Sequence, residues 1–259
     1  MQLICNFPRV VICENEQEWP KFPQAGPSPG IPCRYSLSAM TAAESLKRPD
    51  DPVLVVDWGG VLTFSMQDGF DAWMAAEAID TETFMVTMGG YHNTADSPLH
   101  RRERGDITVI EFEEELAANL RTVEGGTVSA QGLLDRMFAH ITINQDMIRI
   151  VDAARDHGWL TGLLSNAWGA HYDDELIARF DAFVLSDKIG VRKPDPAAFE
   201  AVVGALDVRP DQCVFVDDMW RNIAAAKEIG MQVLRYTPGV ERELHYLITG
   251  TDNWVAGTP

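Results

Sequence analysis

The sequence predicts an α/β protein: a Rossmann-like parallel sheet with helices on both faces, plus an inserted α-helical cap. Three observations carry this. Val53-Leu54-Val55-Val56 is a short apolar run that ends in Asp57-Trp58-Gly59-Gly60, the pattern of a strand buried on both faces of a parallel sheet. From residue 145 onward, similar runs alternate with helical patterns over short connections, which implies right-handed crossovers. Between the two lies a stretch, 66–144, that reads as helices with few strand signals. The division expected is an irregular or disordered extension over 1–50, a sheet-bearing core over 51–65 and 145–259, and a helical cap over 66–144.

The chain has 259 residues, 46% of them hydrophobic, enough for one large domain or for one domain with a substantial insertion. Its formal net charge is −18. Such a surface repels nucleic acid and anionic lipid, so neither is expected as a partner, and an anionic ligand would need local positive groups or a cation. No run approaches the roughly 20 apolar residues of a membrane span. The apolar start lacks a basic segment and a small-residue cleavage site, and three of the four cysteines fall before residue 34. A cytoplasmic location is therefore expected, without a disulfide framework.

Half of the 14 prolines fall within residues 1–50, where five basic and five acidic residues cancel. The segment carries no lasting periodicity, and Met40 is an alternative natural start. After the first strand, Phe70, Trp73, Met74 and Ala78 share helical spacing. So do Ile110, Phe112, Leu116 and Leu120, with Glu111, Glu113, Glu114 and Glu115 expected on the other face. Leu133, Leu134, Met137, Phe138 and Ile141 suggest a further helix, and about four helices are expected in all. A helix holding Met147, Ile148, Ile150, Val151 and Ala154 leads to a strand, Trp159 to Leu164, that ends at Ser165-Asn166. A helix from about His171 to Arg179 precedes the strand Ala182 to Leu185. Gly190-Val191-Arg192-Lys193-Pro194-Asp195-Pro196 opens a helix with Phe199, Val202 and Leu206. The strand Cys213 to Val216 ends at Asp217-Asp218. A helix over Ile223 to Ile229 stops at Gly230, the strand Gln232 to Arg235 follows, and a helix, Val240 to Ile248, closes the pattern.

Four strand ends thus carry polar groups: Asp57, Ser165-Asn166, the Lys193 loop, and Asp217-Asp218. Parallel strands bring those ends to one edge, where ligands of open α/β sheets bind. Carboxylates gathered there repel unless a cation neutralises them, and oxygen ligands without His or Cys suit magnesium. Serine, backbone N–H groups and lysine beside such an ion make a phosphate cradle. An aspartate held against the phosphorus can attack it and form an aspartyl-phosphate.

In these four motifs the sequence resembles the haloacid dehalogenase superfamily of hydrolases, over about Val53 to Thr237. Asp57-Trp58-Gly59-Gly60-Val61 stands for the first motif, Leu163-Leu164-Ser165-Asn166 for the second, Lys193-Pro194 for the third, and Asp217-Asp218 with Asn222 for the fourth. The resemblance implies Asp57 as nucleophile and magnesium ligand, Asp218 and Asp217 as further ligands, and the Gly59 carbonyl as another. It implies Asn222 behind these ligands, and Ser165, Asn166, Lys193, Trp58 and Gly60 around the phosphate, with Ser165 and Lys193 assisting catalysis. A magnesium-dependent phosphohydrolase acting on a small phosphorylated metabolite is expected.

One departure stands out. The family's phosphatases usually carry a second aspartate, the general acid, where this chain has Gly59. Proton delivery is typically worth roughly 10²–10⁴ in rate, so another acid, with His92 and His100 as candidates, or an easy leaving group is implied. The alternatives are a 2-haloacid dehalogenase, whose chemistry needs no acid, and a catalytically weak binder of phosphorylated ligands. A Schiff-base hydrolase of this family needs a cap lysine, and no lysine lies between Lys47 and Lys188.

Overall fold

The computed structural model of the chain describes residues 9–10, 49–169 and 172–257. Its strands are β1 (Arg9–Val10), β2 (Val53–Val56), β3 (Leu160–Ser165), β4 (Ala182–Leu185), β5 (Cys213–Asp217) and β6 (Gln232–Arg235). All pair in parallel, in the order β1-β4-β3-β2-β5-β6. β2 is central because it is apolar at every position: Val53 to Val56 are all buried, flanked by β3 and β5 in register. The expectation of disorder over 1–50 lies outside the described residues, apart from the two-residue edge strand β1 and residues 49–50.

Alternation along β2 divides the core. Leu54 and Val56 join the cluster that includes Met147, Ile150 and Val151 of α6 (Gln145–Asp156) and Leu244 and Ile248 of α11 (Val240–Thr249). Val53 and Val55 face the other cluster, with Phe199 and Val202 of α9 (Pro196–Leu206) and Ile223 and Ala226 of α10 (Trp220–Glu228). Successive side chains of a strand point to opposite faces, so both faces are covered, as a parallel sheet requires. Gly162 on β3 leaves room for α9: a Cβ there would lie 3.1 Å from Leu206 and 3.2 Å from Val202.

Between β2 and α6 lie five helices rather than about four: α1 (Met66–Ala76), α2 (Thr81–Asn93), α3 (Pro98–Glu103), α4 (Val109–Asn119) and α5 (Leu133–Phe138). α3 begins where Ser97 accepts from the His100 N–H and Pro98 occupies the first turn. α4 begins with a capping box between Thr108 and Glu111. Phe70, Trp73, Met74, Phe112, Leu116 and Phe138 fill the interior. Three sequence expectations fail there. Ala78 is exposed beyond the end of α1, at φ +51°. Ile110 in the first turn of α4 is 67% exposed. Glu113 is buried, because its Oε1 accepts the Leu134 N–H at 2.9 Å near the start of α5.

The neck of this insertion is tied shut. Thr63 bridges Ile143 antiparallel to it. Asn144 donates its backbone N–H to the Leu62 carbonyl at 2.9 Å, and its side chain donates to the Val61 carbonyl at 3.2 Å and to the Tyr236 hydroxyl at 2.7 Å. Two short helices complete the chain. α7 (Asp174–Ile177) is shorter than the helix expected from about His171, a residue outside those described. α8 (Ser186–Ile189) follows β4 directly. Among the described residues no helix is long and apolar enough to cross a membrane.

Candidate active site

The C-terminal ends of β2, β3 and β5 converge, and the loop after α8 closes over them. Asp57 leaves β2 with its N–H donated to the Val216 carbonyl of β5 at 2.9 Å. The chain then turns sharply through Trp58–Leu62, and Gly60 takes φ +73°, a region that favours glycine. Its N–H donates to Thr63 Oγ1 at 2.9 Å, which fixes the turn. A Cβ on Gly60 would meet Asp218 Oδ2 at 2.7 Å, so only a glycine lets the turn come this close to that carboxylate. Gly59 differs: a Cβ there would sit 3.7 Å from the Met66 side chain, an ordinary contact.

Lys193 is the pivot. It is 1% exposed, and its Nζ lies 2.8 Å from Asp57 Oδ1 and 2.7 Å from Asp217 Oδ2. Burial alone would lower its pKa; the facing Asp217 and Asp57 carboxylates more than reverse that and raise it. The Asn166 side chain holds the lysine's backbone from both sides, accepting the Lys193 N–H at 2.8 Å and donating to its carbonyl at 3.0 Å. Asp217, fully buried, also accepts from Met219 N at 2.8 Å and, through both oxygens, from Asn222 Nδ2 at 3.0 Å. Asn222 therefore positions Asp217.

Asp57 Oδ1 also accepts the Trp58 N–H at 2.7 Å, and Oδ2 has no donor among the described residues. Burial pushes the Asp57 carboxyl up to about 7: the Lys193 charge opposes the rise, and the Asp217 and Asp218 charges add to it. Asp218, half-buried, is raised to about 6, mainly by burial and then by Asp217. Ligand oxygens of Asp57, Asp217 and Asp218 all lie within 4.8 Å of one another. Three carboxylates face one ammonium, and burial, with this surplus of negative charge added to it, raises the pKa values of two of them. A set of hard oxygen donors with surplus negative charge suits a divalent cation such as magnesium.

Ser165, buried at the end of β3, lies 3.3 Å from the Tyr172 hydroxyl. Tyr172 meets Trp58 edge-on at 5.5 Å, and Trp58 meets Phe138 of α5 at 5.9 Å, so an aromatic wall joins the first motif to the insertion. Sequence reasoning missed Tyr172, which it placed at the start of a helix and which lies instead in the loop before α7, and missed the part played by Thr63. It also missed the ion pair between Arg192, beside Lys193, and Glu103 of α3. His100 and His92 do not suit the missing acid. Lost hydration, then Arg192 and other nearby groups, pushes His100 down to about 4, and lost hydration with Arg221 and Arg192 lowers His92. The His100 ring is therefore neutral near pH 7 in the free protein.

Comparison with known proteins shows the family and the fold. A stretch of 134 residues is 29% identical to bifunctional epoxide hydrolase 2 of Rattus norvegicus, covering 48% of this chain and 24% of that protein, so the match spans about a quarter of the relative's length. A stretch of 124 residues is 32% identical to the chloroplast flavin mononucleotide hydrolase 1 of Arabidopsis thaliana, covering 46% of this chain and 50% of that one. The fold is similar to a haloacid dehalogenase family enzyme of Bacteroides thetaiotaomicron solved with magnesium and inorganic phosphate. The TM-score is 0.58 at 21% identity, over 73% of this chain and 96% of that one. The family profile of the haloacid dehalogenase-like hydrolases matches residues 52–230, from the start of the central strand to past the Asp217-Asp218 pair, and the chain belongs to that family.

Proposed function

We propose that the protein is a magnesium-dependent phosphohydrolase that cleaves a small phosphate monoester through an aspartyl-phosphate on Asp57. The observation that carries this reading is the buried Lys193 ammonium held between Asp57 and Asp217, with Asp218 in the same cluster. A 2-haloacid dehalogenase does not need the second and third carboxylates. The Arabidopsis relative's name, a flavin mononucleotide hydrolase, and the magnesium and phosphate in the Bacteroides structure point the same way.

In this mechanism Asp57 Oδ2 is the attacking atom, because Oδ1 is occupied by Lys193 and the Trp58 N–H. Attack forms the bond from Oδ2 to phosphorus and breaks the ester bond; water then hydrolyses the acyl phosphate and restores Asp57. Lys193 offsets charge on the nucleophile and on the phosphoryl oxygens. Ser165 and the Asn166 backbone bind those oxygens; the Trp58 and Gly60 N–H groups, expected there from the sequence, are given instead to Asp57 Oδ1 and Thr63 Oγ1. Asp57, Asp218, Asp217 and the Gly59 carbonyl would hold magnesium, which supplies Lewis-acid stabilisation of the phosphoryl charge. Gly59 offers no proton, so esters with good leaving groups react best. The helices over 66–144 act as a cap that excludes water and selects the substrate.

The test is phosphate release from a panel of monoesters with and without magnesium, alongside Asp57→Asn. Asparagine keeps an oxygen where Oδ1 accepts, so the variant folds and its turnover falls below detection. Full activity in that variant removes Asp57 as nucleophile. Halide release from 2-haloacids without metal replaces the phosphatase with a dehalogenase.

A further inference from the structure

The residues around Asp57 form a closed circuit of contacts that includes a hydroxyl with no role in the phosphoryl transfer. Asp57 Oδ1 meets Lys193 Nζ at 2.8 Å, and the Asn166 side chain holds the Lys193 backbone through bonds of 2.8 and 3.0 Å. Ser165, the residue before Asn166, is buried at the end of β3, with its Oγ 3.3 Å from the Tyr172 hydroxyl. The Tyr172 ring meets the Trp58 ring at 5.5 Å, and the Trp58 N–H returns to Asp57 Oδ1 at 2.7 Å. Phe183 of β4 packs on the Tyr172 ring as well, with centroids 5.1 Å apart. Two edge-on ring contacts thus hold the phenol in place. Ser165 Oγ is the one hydrogen-bond partner of its hydroxyl among the described residues.

We propose that Tyr172 is a positioning residue that turns the Ser165 proton toward the phosphoryl group. A serine hydroxyl has one proton and two lone pairs, and a phenol likewise has one proton to give. In the free protein either of these two hydroxyls can be the donor. The phosphoryl oxygens of a dianionic ester carry no proton, so Ser165 has to donate its single proton to them. The bond between Ser165 and Tyr172 then persists only with Tyr172 donating. That bond occupies a lone pair of Ser165 Oγ and leaves its proton free to point at the ligand. Burial raises the phenol's pKa above its ordinary value; the Ser165 bond opposes the rise and the Asp57 charge adds to it. The hydroxyl therefore keeps the proton it has to give. The inference rests on the phosphatase reading for Ser165 as a ligand of the phosphoryl oxygens, and it adds the group that sets the direction of that ligand.

The experiment is a double-mutant cycle of Tyr172→Phe and Ser165→Ala, read as calorimetric affinity of the full chain for orthovanadate with magnesium. Phenylalanine keeps the ring against Trp58 and Phe183 and removes the hydroxyl alone. Tyr172→Phe weakens vanadate binding roughly two- to tenfold, and the same substitution added to Ser165→Ala has no further effect. A purely structural role for the hydroxyl costs the same in both backgrounds. Equal losses in the two backgrounds overturn the proposal, as do unchanged affinity in Tyr172→Phe and an unaltered protein that binds no vanadate. Hydrolysis of 4-nitrophenyl phosphate tests the phosphatase reading separately. A protein that hydrolyses it while the cycle shows equal losses loses the Tyr172 role alone. One that hydrolyses no ester loses the phosphatase reading, and the vanadate cycle still decides whether Tyr172 acts through Ser165.

Discussion

Gly60 and Asp218 are in such close approach that a single methyl group on Gly60 would fall 2.7 Å from Asp218 Oδ2. The two residues are far apart in sequence, and nothing but the empty space of a glycine separates the first-motif turn from that carboxylate. Gly60→Ala therefore meets two obstacles, a clash and a left-handed backbone at φ +73° that disfavours L side chains by about 1–2 kcal/mol. Asp218, half-buried, yields by turning away. Magnesium affinity measured by calorimetry falls about tenfold or more, with a smaller loss of stability. Unchanged affinity would show that Asp218 is not a ligand.

Lys193→Met removes the one ammonium between Asp57 and Asp217 and leaves both carboxylates without it. Breaking a buried ion pair from one side destabilises by about 3–5 kcal/mol. Urea unfolding without metal measures this. Magnesium recovers part of the loss, since a cation binding the folded state stabilises it. A variant as stable as the parent without metal would mean that the pair contributes nothing to folding.

The pH dependence follows from the raised carboxyls. Asp57 at about 7 and Asp218 at about 6 lie above the 3.8 of the free side chain. The folded protein thus binds more protons than the unfolded one between about pH 4 and 7, and the stability due to these groups is lost as pH rises through that window. Magnesium needs both groups ionised, so its stabilisation grows over the same window. The shift in melting temperature on adding magnesium is larger at about pH 8 than at about pH 5.5. Equal shifts contradict the assignment of these two residues as ligands.

Gly59 is open where Gly60 is not. A Cβ there meets Met66 at 3.7 Å, and the backbone at φ −70° accepts any L residue. Gly59→Asp therefore folds, and it supplies a carboxyl two residues after the nucleophile. Turnover of esters with poor leaving groups rises by up to roughly 10²–10⁴, whereas 4-nitrophenyl phosphate changes little. A gain of equal size on both would point to something other than proton delivery.

Much of the sheet is legible in the sequence because a strand buried on both faces has to be apolar throughout. Ala182–Leu185 and Gln232–Arg235 lie where the pattern puts them, and β3 and β5 extend one residue further to include Ser165 and Asp217. The order of the strands, β1-β4-β3-β2-β5-β6, is seen only in the structure. Side-chain periodicity is a weaker guide in the inserted helices, where burial depends on what packs opposite. Ile110 has no partner surface and faces solvent, while Glu113 is drawn inward by the free N–H of Leu134.

Chain order also determines which polar strand ends share an edge, so the sequence alone could gather Asp57, Ser165, Lys193 and Asp217-Asp218. Their division of labour required the packed structure. Lys193 touches Asp57 and Asp217 at once, Asn166 grips the Lys193 backbone, and Gly60 makes room for Asp218. The lowered pKa of His100 and the pairing of Arg192 with Glu103 also depend on which residues of α3 lie against the sheet. Local pattern sets backbone conformation; strand order, distances of a few ångströms between charges, and the pKa values that follow, arise only when the layers are packed.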